Sequence, residues 1–152
     1  MKYYAIYNTK TEELSKAQCR CLNAECINME VSKEVYDNLE KYIYQNGELV
    51  LNPNYEAEQE AKEQERIAML SLTAADVERG IYKATGKDFD DVVALVTELQ
   101  PEGLDIKALK IELKANNFYR GNPYVDAVGS LLGFTKEQLD AFFETNDYTK
   151  LL

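Results

Sequence analysis

Three cysteines near the N-terminus, Cys19, Cys21 and Cys26, are the residues whose chemistry stands out first. Thiolates bind zinc, so three of them would begin a tetrahedral metal site. The chain has no His and no fourth Cys, so a carboxylate such as Glu25, or a second copy, would have to complete that site. The alternative is that they are three small, half-buried residues on strands. We therefore predict no cofactor, with these cysteines as the metal-ligand candidates.

The absence of His also removes whole classes of catalytic site. Ser-His-Asp and Cys-His nucleophile systems and His general bases all need an imidazole. Asp88, Asp90 and Asp91 cluster at a predicted helix start, where acids cap the helix and offset its dipole. They lack the glycine and closing glutamate of a calcium loop. No glycine-rich phosphate loop is present, so the sequence predicts a protein that is not an enzyme.

Acidic residues dominate the charge of the chain and are unevenly distributed. There are 27 acidic and 17 basic residues, giving a net charge of −10, of which −8 lies in residues 53–152. We therefore predict no direct binding to nucleic acid, because phosphate contacts need Lys and Arg and acidic residues are in excess. One run of glutamates is a candidate partner-binding surface: Glu56, Glu58, Glu60, Glu63 and Glu65. The other interpretation of this run is a solvated helix face.

A second candidate partner-binding site is the polar group Tyr119, Arg120 and Asn122. These residues fall at a predicted turn between two helices. Side chains of this kind bind partners, but they also satisfy backbone groups at helix corners. The sequence leaves both roles open.

The first 52 residues predict a small antiparallel sheet with one helix. Alternating or β-favouring residues predict strands over 2–8, 14–22 and 25–31. Ser32 is the expected N-cap of a helix over 33–41. Residues 42–45 and 48–51 flank Asn46-Gly47, a pair that tolerates the positive φ of a two-residue hairpin turn.

The remaining residues predict helices. Residues 55–70 are strong helix formers with almost no apolar face, except in the last turn, so they predict a solvated connector helix. Further helices are expected to begin after the caps Thr73, Asp88, Asp105, Asn122 and Thr135. The third of these, starting at Asp105, is expected to carry Asn117 on its face and to stop at Gly121.

These patterns predict an α+β protein with three parts. They are a small β-rich domain over 1–52, a Glu-rich connector helix over 53–70 and a bundle of four to five helices over 71–152. The longest apolar stretches are far too short for a membrane helix. An odd number of cysteines, without a secretory signal at the N-terminus, predicts a reducing compartment.

Several segments together resemble small proteins of tailed-phage and prophage tail modules. The resemblance covers most of residues 42–152 and, more loosely, the Tyr-rich N-terminus. It is carried by the Asn-Gly hairpin, by Asn-Pro-x-Tyr-Glu-Ala at 52–57, by ERIAMLSLTAADV at 65–77, by NFYRGNPYVD at 117–126, by Gly-Phe-Thr at 133–135 and by LDAFF at 139–143. It implies a non-enzymatic protein of the tail-fibre or baseplate region, located in the bacterial host cytoplasm or the virion.

Two hypotheses about function follow. In the first, the chain is a minor tail or tail-fibre component or an assembly helper that binds a phage tail protein or forms a homo-oligomer. In the second, it is a phage inhibitor of host defence, similar to an anti-CRISPR protein. There, carboxylates would occupy a basic groove meant for nucleic acid, and binding would weaken with salt.

Overall fold

A computed structural model describes all 152 residues and confirms the α+β class. The chain divides into two compact units, residues 1–59 and 60–152. The boundary falls inside one continuous helix, α2 (Tyr55–Ala68), which begins in the first unit and ends in the second.

The first unit is built on a three-stranded antiparallel sheet with the order β2-β1-β3. Its strands are β1 (Tyr3–Asn8), β2 (Glu13–Ala17) and β3 (Cys26–Val31). In the register, Ile6 of the central strand faces Ser15 on one side and Asn28 on the other. Because side chains alternate along strands, Cys26 and Asn28 lie on the same face as Ile6.

Both faces of the central strand are covered. Tyr4, Ala5 and Ile6 are consecutive and all buried, although neighbouring side chains point to opposite faces. On the Ala5 face, the ring of Tyr7 stacks on that of Tyr44 at 4.1 Å between centroids. On the other face, the Arg20 guanidinium lies over the Tyr4 ring. The sheet is therefore a packed layer, and the tyrosines of β1 contribute to its core.

The rest of the first unit follows the predicted order with one difference. The helix α1 (Lys33–Asp37) has the predicted Ser32 cap but stops early, and a 3-10 turn, Leu39–Lys41, follows it. The hairpin of β4 (Tyr42–Gln45) and β5 (Glu48–Leu51) is confirmed. Its turn residues Asn46 and Gly47 have φ angles of 53° and 90°, as a type I′ turn requires.

The prediction of a strand over 14–22 is wrong beyond residue 17. β2 ends at Ala17, and residues 18–25 form a loop instead. The side chain of Asn28 replaces a strand partner, accepting a hydrogen bond from the Cys21 N–H and donating one to the Cys21 carbonyl. The local polar partner thus satisfies backbone groups that a longer strand would have paired.

The second unit contains five helices after the end of α2. They are α3 (Ala74–Thr85), α4 (Phe89–Leu99), α5 (Ile106–Glu112), α6 (Pro123–Leu131) and α7 (Lys136–Thr145), and a 3-10 turn, Tyr148–Leu151, ends the chain. All five begin at the caps predicted for them, and α4 and α7 have complete capping boxes. The capping box at Thr73 is incomplete. The Asp76 N–H donates to the Thr73 hydroxyl, but the Asp76 carboxylate accepts from that hydroxyl and not from the Thr73 N–H.

The core of this unit is organised around α7. Leu139, Phe142 and Phe143 are all buried and belong to the larger hydrophobic cluster. Two glycines allow neighbouring helices to approach α7 closely. A Cβ at Gly80 of α3 would lie 2.7 Å from Phe142 Cε2, and one at Gly129 of α6 would lie 2.5 Å from Leu139 Cδ1. A second cluster, centred on Val92, Val96 and Leu109, joins α4, α5 and α6.

The prediction that residues after 70 are entirely helical is wrong in one place. β6 (Ser71–Thr73) pairs with β7 (Asn117–Tyr119) in an antiparallel ribbon. The helix α5 ends at Glu112, so Asn117 does not lie on it and Gly121 does not stop it. Gly121 instead lies against the end of α2, where an added Cβ would be 3.0 Å from Ala68 Cβ.

Candidate interaction surfaces

The five glutamates predicted as a partner-binding surface lie on α2 (Tyr55–Ala68), and none of the helix's residues is buried. Its side chains are strong helix formers, so propensity favours the helix where packing contributes little. All five glutamates are exposed. The helix is therefore a continuous polar surface, consistent with the solvated helix that the sequence predicted.

The glutamates differ in whether their carboxylates have partners. Glu58 accepts a hydrogen bond from the Asn52 side chain at 3.1 Å. Glu63 is engaged by Arg66, and this hydrogen bond lowers the pKa of the Glu63 carboxyl. The other three carboxylates have no hydrogen-bond or ion-pair partner. They belong to Glu56, Glu60 and Glu65.

These three free carboxylates do not form one stripe. Glu56 and Glu60 are four residues apart and lie on the same side of the helix. Glu65 follows five residues after Glu60, which at about 100° per residue places it on roughly the opposite side from Glu56. Any partner that lies along one side of α2 therefore meets two free carboxylates at most.

The C-terminal part of α2 belongs to the second unit and contacts α7 there. Arg66 donates two hydrogen bonds to the Glu144 carboxylate of α7, at 3.0 and 2.8 Å, in addition to its pair with Glu63. The two carboxylates raise the pKa of Arg66 above its ordinary value. The Gly121 N–H also donates to the Ala68 carbonyl at 3.0 Å. The end of the helix is anchored by polar contacts, not by a buried apolar face.

The second predicted site, Tyr119, Arg120 and Asn122, divides into three different roles. Arg120 is only 3% exposed, so its side chain does not form a surface for a partner. Its Nε lies 2.6 Å from Asp140 Oδ1 and its Nη1 lies 2.8 Å from Asp126 Oδ1. The arginine links the start of α6 to α7, which is an internal structural role.

Asn122 is also used within the fold. Its side chain caps α6 by accepting from the Tyr124 N–H at 3.0 Å, and its amide donates to the Glu112 carboxylate at 2.9 Å. Tyr119 alone remains available, with 58% of its surface exposed on the β6–β7 ribbon. Of the three residues that the sequence offered as a partner-binding site, only Tyr119 is exposed. Arg120 and Asn122 instead satisfy groups at the corner between helices, which was the alternative role.

The three cysteines do not form the metal site that the sequence allowed. The structure contains no group of three or more His, Cys, Asp or Glu arranged to hold a metal ion. Cys19 is exposed in the loop, whereas Cys21 and Cys26 are half-buried. The Asn28 side chain, two residues from Cys26 on β3, holds the backbone of Cys21. Only Cys26 is on a strand.

The two neighbouring thiols are electrostatically unequal. A hydrogen bond from the Cys26 thiol, with a second from the Asn23 N–H, lowers the pKa of Cys21 below its ordinary value. The same contact with Cys21, together with burial, raises the pKa of Cys26. Sequence reasoning missed this pair. The alternation of β3 already indicated that Cys26 and Asn28 share a face. The fold of the preceding loop, which brings Cys21 to Asn28, could not be read from the sequence.

A cavity in the second unit has a largely apolar lining. It has a volume of about 40 Å³ and lies among the helices, between the two hydrophobic clusters. Glu112 is the one charged residue that lines it.

Comparisons with known proteins supply no relative: no protein-family model matches the sequence, and no curated protein or solved structure matches it. None of the helices combines the length and apolar composition needed to cross a membrane.

Proposed function

We propose that this chain is a non-enzymatic, phage-encoded protein that acts by binding another protein. Its place would be that of a minor tail or tail-fibre component, or of an assembly helper for a fibre. The observation that carries this proposal is α2, a helix of 14 residues with none buried, anchored near its C-terminal end by Arg66. The resemblance of residues 42–152 to tail-module proteins supplies the biological setting.

Exposed apolar side chains add to the case for a protein partner. Met69 is 68% exposed at the end of α2, and Tyr119 is 58% exposed on the ribbon that begins two residues later. Tyrosine and methionine are enriched at protein interfaces, where they provide large contact areas. A tail protein that contacts the C-terminal part of α2 would meet both acidic and apolar groups.

The location that goes with this proposal is the cytoplasm of the bacterial host during assembly, or the virion if the protein stays attached. The proposed partner is a tail protein, or a second copy of the chain. Neither direct nucleic-acid binding nor membrane binding belongs to the proposal.

A pull-down with tagged protein from lysate of phage-carrying cells tests it. Bound proteins are identified by mass spectrometry at two salt concentrations. Enrichment of fibre or baseplate proteins, or self-association of the purified chain, is the expected result. A strict monomer that captures no tail protein contradicts the proposal.

A second candidate function is inhibition of a host defence protein by occupying its basic groove. The net charge of −8 on residues 53–152 and the free carboxylates of α2 favour it. The split of these carboxylates between two sides of the helix counts against close mimicry of one phosphate strand. Capture of a host nucleic-acid-guided nuclease, released by added salt, would favour this function over the first.

A further inference from the structure

We propose that Cys21 and Cys26 form a reversible redox modification site. A low-molecular-weight disulfide such as glutathione disulfide would oxidise the two thiols to an intramolecular disulfide. The new bond would fix the loop of residues 18–25 against the sheet of the first unit. This inference does not depend on the proposed function.

The geometry that carries the proposal begins with Asn28. Its side chain holds the Cys21 backbone at both polar groups, with distances of 2.7 Å to the N–H and 2.9 Å to the carbonyl. Asn28 and Cys26 are two residues apart on β3 and therefore share a face. The clamp thus places Cys21 over the face from which the Cys26 side chain projects.

The far end of the loop is held as well. The Cys26 N–H donates to the Asn23 carbonyl at 3.0 Å, and the Glu25 N–H donates to the Asn23 side chain at 3.0 Å. Thr9 donates to the Glu25 carbonyl through its N–H and its hydroxyl, both at 2.9 Å. Backbone anchors on both sides of the loop thus hold the two half-buried thiols near each other, close enough for each to shift the pKa of the other.

Forming the disulfide takes two steps. One thiolate attacks glutathione disulfide, and the other then attacks the resulting mixed disulfide. The lowered pKa of Cys21 makes it the better source of thiolate near neutral pH. Its sulfur attacks glutathione disulfide, forming a Cys21–glutathione mixed disulfide and releasing one glutathione thiolate. Cys26 then loses its proton to solvent and attacks Cys21 Sγ, which forms the protein disulfide and releases the second glutathione. Two protein thiols are oxidised and one glutathione disulfide is reduced.

The consequence lies in the segment between the two sulfurs. Leu22 is 98% exposed there. A disulfide between Cys21 and Cys26 would close a six-residue loop that contains Leu22 and would restrict how that segment moves. Cys19, exposed on the other side of Arg20, is outside this loop.

Trypsin provides a sharp test, because cleavage after Arg20 separates the cysteines. Cys19 falls in the peptide 17–20, whereas Cys21 and Cys26 fall together in the peptide 21–33. The full-length protein is equilibrated in glutathione buffers of increasing disulfide content, alkylated, digested and analysed by mass spectrometry. We expect an unalkylated peptide 21–33, lighter by two hydrogen atoms than its reduced form, while Cys19 accounts for none of the protein disulfide.

Three variants sharpen the outcome. Cys19→Ser should oxidise as the wild type does, and Cys21→Ser should form no such peptide. Asn28→Ala should lower the equilibrium constant for oxidation by about tenfold, because two hydrogen bonds that position Cys21 are lost. Circular dichroism at equal concentration verifies that each variant is folded.

Two results would overturn the proposal. One is a peptide 21–33 that stays fully alkylatable in glutathione disulfide alone. The other is a disulfide that links peptides 17–20 and 21–33, since this would assign the reactive pair to Cys19. Oxidation of Asn28→Ala as readily as the wild type would overturn the assigned role of the clamp.

Discussion

Among single residues, Arg120 is the one charged side chain that is buried. Its guanidinium is buried, and neither its Nε nor Asp140 Oδ1 has a partner other than each other, at 2.6 Å. Removing one member of a buried ion pair leaves the other charge uncompensated, which costs more than the pair contributes. The sequence pattern placed Arg120 in a polar group, but nothing in that pattern indicated that the side chain is buried.

We expect Arg120→Met to lower the free energy of unfolding by about 3 kcal/mol, measured by urea denaturation. Asp126→Asn serves as the control, since this carboxylate is 54% exposed and its loss should cost less than about 1 kcal/mol. The double change Arg120→Met with Asp140→Leu should recover much of the loss. Equal effects of the two single changes would show that Arg120 is not the buried centre of the network.

Gly80 is the second residue with a specific consequence. Alanine there favours the helix by about 1 kcal/mol, but its Cβ would press on the buried Phe142 ring. Overpacking costs about 1 to 3 kcal/mol, so we expect Gly80→Ala to destabilise by about 1 kcal/mol net. The cost should disappear in a Phe142→Leu background, because the smaller side chain leaves room. Additive effects in the double-mutant cycle would contradict the packing account.

At the scale of elements, the helices were predictable and the ribbon was not. Caps such as Asp88 and Thr135 are local signals, and the structure uses them in complete capping boxes. The β6–β7 pairing joins Ser71 to Tyr119 across the three helices α3, α4 and α5, and three-residue strands carry no alternation to reveal it. The exposure of α2 was predicted from its composition. Its ion pair between Arg66 and Glu144 was not, because the two residues are far apart in the sequence.

The N-terminus of α3 gives a prediction about pH. The Thr73 hydroxyl, followed by Arg79, holds the pKa of the Asp76 carboxyl below its ordinary 3.8. The ionised form is therefore favoured by folding, so its contribution is complete above pH 3.8 and is lost as the pH falls through the lowered value.

We expect Asp76→Asn to destabilise the protein at neutral pH and to approach the wild type near pH 3, as measured by urea denaturation at several pH values. Glu98→Gln, at an exposed position on α4, is the charge-matched control and should differ little from the wild type throughout. A difference between Asp76→Asn and the wild type that is constant with pH would contradict this assignment.

At the scale of the whole molecule, charge and exposure determine what the protein can bind. A net charge of −10 resists contact with nucleic acid and favours partners with basic or mixed surfaces. Two compact units share the helix α2, and the acidic residues concentrate on and beyond it. Composition alone predicted this charge balance, but the distinction between free and paired carboxylates required the contacts.

The proposed function requires that this protein bind a protein partner through α2. The most direct measurement compares recovery of tail proteins by the wild type, by Glu56→Gln/Glu60→Gln/Glu65→Gln, and by the control Glu40→Gln/Glu98→Gln/Glu102→Gln, which removes the same charge at other exposed positions. We predict that recovery falls severalfold only for the α2 variant. Equal recovery by all three proteins, or a monomeric chain from which no variant recovers a tail protein, would contradict this proposal.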